Sequence, residues 1–197
     1  MCCLLDFGTQ RRHAGGRIVD RWKLAHHLYR LGFSVIPLRA DKRPAVRWKR
    51  YQYEHATPAD LDHWFGLEDF RPGIVCGAVS GLVVVDCDDW ETARRVEGSA
   101  GSSPLRQRTR RGVHFVYRLA PDDGTRNQQR VGGLPIDIRG NGGYVVAYPD
   151  AARWTAHDVA TAPEFGALFA ARYRAGPYYC NVGAIDPAPY RDKDDQP

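Results

Sequence analysis

Two periods of apolar spacing alternate along this chain. From Asp20 to Leu31 the apolar residues Trp22, Ala25, Leu28 and Leu31 fall near helical spacing, and Gly32 supplies a stop. Phe33 to Leu38 predicts a strand, with Pro37 suggesting an edge or strand end. Arg39 to Arg50 is a basic, proline-containing loop with Trp48 as its one large apolar anchor. Thr57-Pro58-Ala59-Asp60 predicts a helix start, with Thr as N-cap, and the helix carries Leu61, Trp64 and Phe65. Gly73 to Val79 predicts a short strand or turn. Leu82-Val83-Val84-Val85, three of them β-branched, predicts a buried strand that runs straight into Asp86-Cys87-Asp88-Asp89.

After a short helix at Trp90 to Glu97, Gly98 to Pro104 reads as a flexible loop. Arg106 to Arg111 is a basic run ending in Gly112, and Val113 to Tyr117 alternates as a strand. Pro135 to Arg139 predicts another strand, and Gly140-Asn141-Gly142 a hairpin-type turn into a return strand over Gly143–Tyr148. A last helix is expected from Pro163 to Tyr173. Strands mixed with helices, without regular βαβ alternation, indicate an α+β fold: a mostly antiparallel sheet with helices against one face. Residues 1–16 read as a flexible lead-in, 17–175 as one domain, and 176–197 as a disordered or extended tail.

Composition narrows the partners. The 197 residues are 43% hydrophobic, enough for a real core. Lys and Arg exceed Asp and Glu by 28 − 23 = 5, a modest excess that suits an anionic partner or solvated surface charge equally well. Arg dominates Lys, as bidentate phosphate contact favours and as GC-rich codons also favour. Cys2, Cys3, Cys76, Cys87 and Cys180 form no Cys-x-x-Cys pair, so no zinc is expected. With no secretory segment and no membrane-length apolar run, a reduced, cytoplasmic protein without membrane contact is expected.

Three strands carry polar groups that merit a chemical reading. Asp86 and Asp88 share one face of their strand, and Cys87 takes the other. Two such carboxylates repel unless something positive lies between them, and a divalent cation is the usual answer. On the same ground, Asp→Asn at Asp86 or Asp88 is expected to stabilise the metal-free protein. The competing reading is a strand ending in a solvated acidic turn, with Asp89 capping the next helix. His114 shares a strand face with Val116. Asp137, between Ile136 and Ile138, shares its face with Arg139. Each is open to an innocent reading as a half-exposed side chain. Together, three aspartates can hold two divalent cations suited to in-line attack on a nucleotide phosphate.

Asp-x-Asp after an aliphatic strand, Gly-x-His before an aromatic strand, and Ile-Asp-Ile-Arg-Gly-x-Gly-Gly-Tyr-Val-Val resemble the bifunctional DNA primase/polymerase (Prim-Pol) domain of the archaeo-eukaryotic primase superfamily. Arg30 to Leu38, Lys42-x-Pro44, Trp48, Trp64, Gly73 to Gly77 and Ser80-Gly81-Leu82 follow in the family's order, so the resemblance covers roughly 22–150. It implies an RRM-like, mostly antiparallel palm sheet with helices, joined to an N-terminal α/β module. It implies a nucleotidyltransferase that primes or extends DNA with two Mg²⁺ or Mn²⁺ ions per site. By motif, Asp86, Asp88 and Asp137 are the catalytic metal ligands. His114, Gly112, Arg139 and Lys42 lie at the nucleotide. Gly112 stands where relatives often carry a small polar residue, and Arg110-Arg111 precede it, so phosphate contact there would be through the backbone. The implied partners are a single-stranded DNA template and primer, nucleoside triphosphates and a separate helicase, in a phage or plasmid of GC-rich coding. A non-catalytic nucleic-acid-binding replication module and a metal-dependent nuclease stand as alternatives.

Overall fold

The computed structural model describes residues 20–100 and 103–165. In chain order the elements are α1 (Arg21–Arg30), β1 (Val35–Leu38), α2 (Pro58–Leu67), β2 (Arg71–Val75), β3 (Leu82–Cys87) and α3 (Trp90–Ala100). Then follow β4 (Arg106–Arg108), β5 (Val113–Arg118), β6 (Ile136–Arg139), β7 (Tyr144–Val146) and α4 (Ala156–Thr161). The strands make two antiparallel sheets, a three-stranded one ordered β1-β2-β7 and a four-stranded one ordered β4-β5-β3-β6. The fold is α+β.

Local chemistry starts the helices where expected. The Asp20 side chain accepts from Lys23 N–H at the head of α1, and Thr57 and Asp60 form a reciprocal capping box on α2 with Pro58 in its first turn. Gly32, at φ 88°, lets the chain turn out of α1 towards β1. The buried stripe of α1 is Leu24, Ala25 and Leu28, while Trp22 is 39% exposed and lies outside it.

Two cores meet at the four-stranded sheet. Leu82 and Val84 of β3 and Val116 of β5 face a core shared with α1, α2, β1 and β2. Val83, Val85 and Cys87 face a second core with Phe115, Tyr117, Ile136, Ile138 and, from α3, Ala93 and Val96. Burial on both sides explains why Leu82–Val85 is a continuous apolar run rather than an alternating one. It also corrects the expectation of a single sheet with helices on one face. A second sheet exists, and α3 covers the face opposite to α1 and α2.

The stretch after β6 is a further correction. β6 and β7 do not form a hairpin. β6 pairs with β3 and β7 with β2, so the chain crosses from one sheet to the other at Gly140–Gly143. Asn141 holds this crossing by accepting from Ala78 N–H and donating to Thr125 O. A Cβ on Gly140 would meet Thr125 O at 2.3 Å, so the glycine there serves close backbone approach, not a two-residue hairpin turn. β4 and α4 were not foreseen. The expected lead-in, the tail and, beyond Phe165, the expected Pro163–Tyr173 helix lie outside the described residues.

Candidate active site

β3 is the central strand on which the polar groups converge. Its alternation sends Asp86 to the same face as Leu82 and Val84, at the end where the apolar lining of that face stops. Antiparallel pairing puts His114 of β5 directly opposite Asp86 on one side and Asp137 of β6 directly opposite on the other. Residues paired in this way have Cα atoms about 4.5–5.5 Å apart and side chains on one face. Asp86, His114 and Asp137 therefore form a row across three strands. Asp88 lies one step beyond β3. Its N–H bonds Pro135 O, which continues the β3–β6 ladder, and its side chain is exposed.

Each carboxylate in the row has a protein partner. His114 Nε2 stands 3.2 Å from Asp86 Oδ1, with the ring almost wholly buried. Asp137 Oδ2 accepts from Arg139 Nη2 at 2.7 Å, and its Oδ1 accepts from Arg130 N–H at 3.0 Å. Burial by itself would push the Asp86 carboxyl up. The hydrogen bond from His114, then the charges of Arg139 and Lys42, outweigh it and hold the group below the usual carboxylate range. The positive charge that the sequence argument demanded near Asp86 is thus supplied in part by the protein itself. Among the described residues, no three His, Cys, Asp or Glu side chains converge closely enough to hold a metal ion as they stand.

Lys42 reaches this region from the turn after β1. The turn is closed by Arg39 N–H to Arg43 O and Lys42 N–H to Arg39 O, and Asp41 Oδ1 accepts from Arg43 N–H. Lys42 itself sits at φ 74°, a left-handed conformation that L side chains adopt at a cost. Gly112 is buried against the end of β3. A Cβ there would stand 1.9 Å from Cys87 O and 3.0 Å from Asp89 N. Its N–H donates to Thr109 Oγ1 at 2.9 Å, so the close approach this glycine permits is to β3. Arg110 and Arg111 project, exposed, from the same turn. Asp89 does cap α3, with Oδ1 accepting from Thr92 N–H at 2.7 Å. Cys76 and Cys87 are buried thiols, each pushed up to about 12 chiefly by burial.

Residues 25–165 match the family model of the bifunctional DNA primase/polymerase N-terminal domain, Prim-Pol. The chain belongs to this family. No curated protein matches it. The Prim-Pol match spans both sheets and includes Lys42, Asp86, Asp88, Gly112, His114, Asp137 and Arg139. No helix among the described residues of this Prim-Pol chain is long and apolar enough to cross a membrane.

One residue beside the row of Asp86, His114 and Asp137 escaped sequence reasoning. Gln107 of β4 is 1% exposed and touches the His114 ring, with Nε2 2.8 Å from Nδ1. Within Arg106-Gln107-Arg108 it read as part of a basic run. The only available signal was an uncharged side chain between two arginines, which is what a three-residue strand with one inward position produces.

Proposed function

We propose that this Prim-Pol chain carries out template-directed nucleotidyl transfer, as a DNA primase, a DNA polymerase or both. The observation that carries this reading is the row of Asp86, His114 and Asp137 across β3, β5 and β6, inside the family match. On this reading the four-stranded sheet is the RRM-like palm, and β1, β2, α1 and α2 belong to the N-terminal module.

The chemistry of the donor set, though not its present spacing, suits a hard cation, since Asp86, Asp88 and Asp137 offer only carboxylate oxygens, the ligands that Mg²⁺ and Mn²⁺ favour. These three residues would hold the two ions. Bound there, the ions would lower the pKa of the primer 3′-hydroxyl and offset charge on the triphosphate and leaving pyrophosphate. The side chains do the rest. His114 orients the Asp86 carboxylate and offers its Nε2 proton to a phosphate oxygen. Arg139 and Lys42 give the face positive charge that favours an anionic triphosphate. The exposed Lys42, Arg43, Arg110 and Arg111 suit a template and primer backbone, an interaction that weakens as salt rises.

The test is nucleotide incorporation on primed and unprimed single-stranded DNA with Mg²⁺ or Mn²⁺. Extension of the primed strand supports a polymerase, and products on the unprimed strand a primase. DNA binding without incorporation would mark a binding module. Shortening of the strand would mark a nuclease.

A further inference from the structure

The buried Gln107 amide is fixed by three contacts. Its Oε1 accepts from Tyr148 N–H at 2.8 Å, and its Nε2 donates to Val146 O at 2.7 Å. Both backbone groups lie on or just beyond β7, the outer strand of the three-stranded sheet, so one side chain does there what a neighbouring strand would do. Turning the amide over would set nitrogen against N–H and oxygen against C=O, leaving both backbone groups unsatisfied. The orientation is therefore determined by the backbone and not by the histidine. An amide nitrogen carries two protons. One serves Val146 O, and the other meets His114 Nδ1 at 2.8 Å. Nδ1 must then be the acceptor, and the ring proton must sit on Nε2, facing Asp86 Oδ1.

We propose that Gln107 is a positioning residue that sets the tautomer of His114, so that the ring always presents an N–H, never a lone pair, to the Asp86 carboxylate and to a nucleotide phosphate. The second half of this statement rests on the nucleotidyl-transfer reading above; the tautomer itself does not. Through Gln107 the position of β7 is also transmitted to the catalytic row. A shift of the three-stranded sheet that pulls Val146 and Tyr148 away would free the amide to turn, and with it the histidine.

The direct test is nitrogen-15 NMR of the histidine rings in this 197-residue chain at pH about 8, above the ordinary histidine value. The His114 signals are assigned by their loss in His114→Ala. A proton on Nε2 alone is expected. A proton on Nδ1, whether alone, in a mixture or together with Nε2, overturns the proposal whatever the activity of the protein. Gln107→Met removes donor and acceptor at similar size and should yield a mixture of tautomers. Where incorporation is measurable, Gln107→Met should raise the KM for nucleotide about three- to tenfold, the loss of one neutral hydrogen bond, and should have little further effect on top of His114→Ala. Losses that simply add, or an unchanged tautomer in folded Gln107→Met, would make Gln107 a bridge between the sheets and nothing more. If Gln107→Met does not fold, the His114 tautomer in Asp86→Ala decides, since there no carboxylate calls for a proton on Nε2: a proton on Nε2 alone supports the proposal and a mixture overturns it.

Discussion

Asp86 and Asp137 stand directly opposite each other on β3 and β6, yet they turn to different partners, Asp86 to His114 and Asp137 to Arg139. Two acids side by side are tolerable here because each is already answered. Neither carboxylate is left as a charge buried alone.

Asp86→Ala, Asp88→Ala and Asp137→Ala should each lower nucleotide incorporation by at least about a hundredfold, the scale of losing one group that stabilises charge in the transition state. Circular dichroism should show each variant folded. Wild-type incorporation by any one of them would remove that residue from the site.

Acid should reveal Asp86 as a source of stability. A carboxyl held below its ordinary value stabilises the fold above that value, about 3.9, and the contribution fades as pH falls through the folded value. Wild-type stability should therefore drop more steeply below about pH 4 than that of Asp86→Asn, which lacks this titration. At neutral pH the variant should be the less stable of the two. This is opposite to the expectation from acid–acid repulsion alone, because His114, Arg139 and Lys42 favour the charge. Urea titrations of both proteins at several pH values would read it, and parallel curves would refute it.

Gly112→Ala should destabilise the protein by about 1–3 kcal/mol or more, since the new methyl group meets backbone, which cannot swing aside as a flexible side chain would. The melting temperature should fall by about 2–4 °C per kcal/mol. An unchanged melting curve would mean that the β4–β5 turn is not seated against Cys87.

Lys42→Gly should separate stability from function. Glycine adopts φ 74° freely, so relief of the left-handed strain should stabilise the fold by up to about 1–2 kcal/mol. The same change removes a charge that faces Asp86, so the KM for nucleotide should rise. A variant that is more stable and equally active would place Lys42 outside the site.

The legible parts of this chain were those with local causes. Thr57 and Asp60 announced α2, and the run into Asp86 and Asp88 announced β3 and its acidic end, because caps and side-chain alternation are short-range effects. Partner choice is not short-range. Gly140-Asn141-Gly142 has hairpin chemistry, but whether Tyr144–Val146 returns to β6 or joins β2 depends on Thr125, Ala78 and Gly73, which periodicity does not see. Gln107 was hidden for the same reason, since its contacts are to Val146 and Tyr148, about forty residues on. α4 was legible in principle, because Thr155 and Asp158 form a capping box like that of α2, but the helix is only six residues long and has no buried stripe to announce it.

The crossing at Gly140–Gly143 has a consequence for how the chain comes to life on the ribosome. β6 completes the sheet that began with β3, and only a few residues later β7 completes the sheet that began with β1 and β2. Both closures join partners far apart in sequence, and such pairings form slowly because a long loop must be closed before any contact rewards it. A nascent chain that has emerged only as far as β5 owns Asp86 and His114 but neither Asp137 nor the backbone that steadies Gln107. The two sheets and the row of Asp86, His114 and Asp137 thus become whole in one late event, within the span of a single short turn, and a half-made chain carries that row only in fragments.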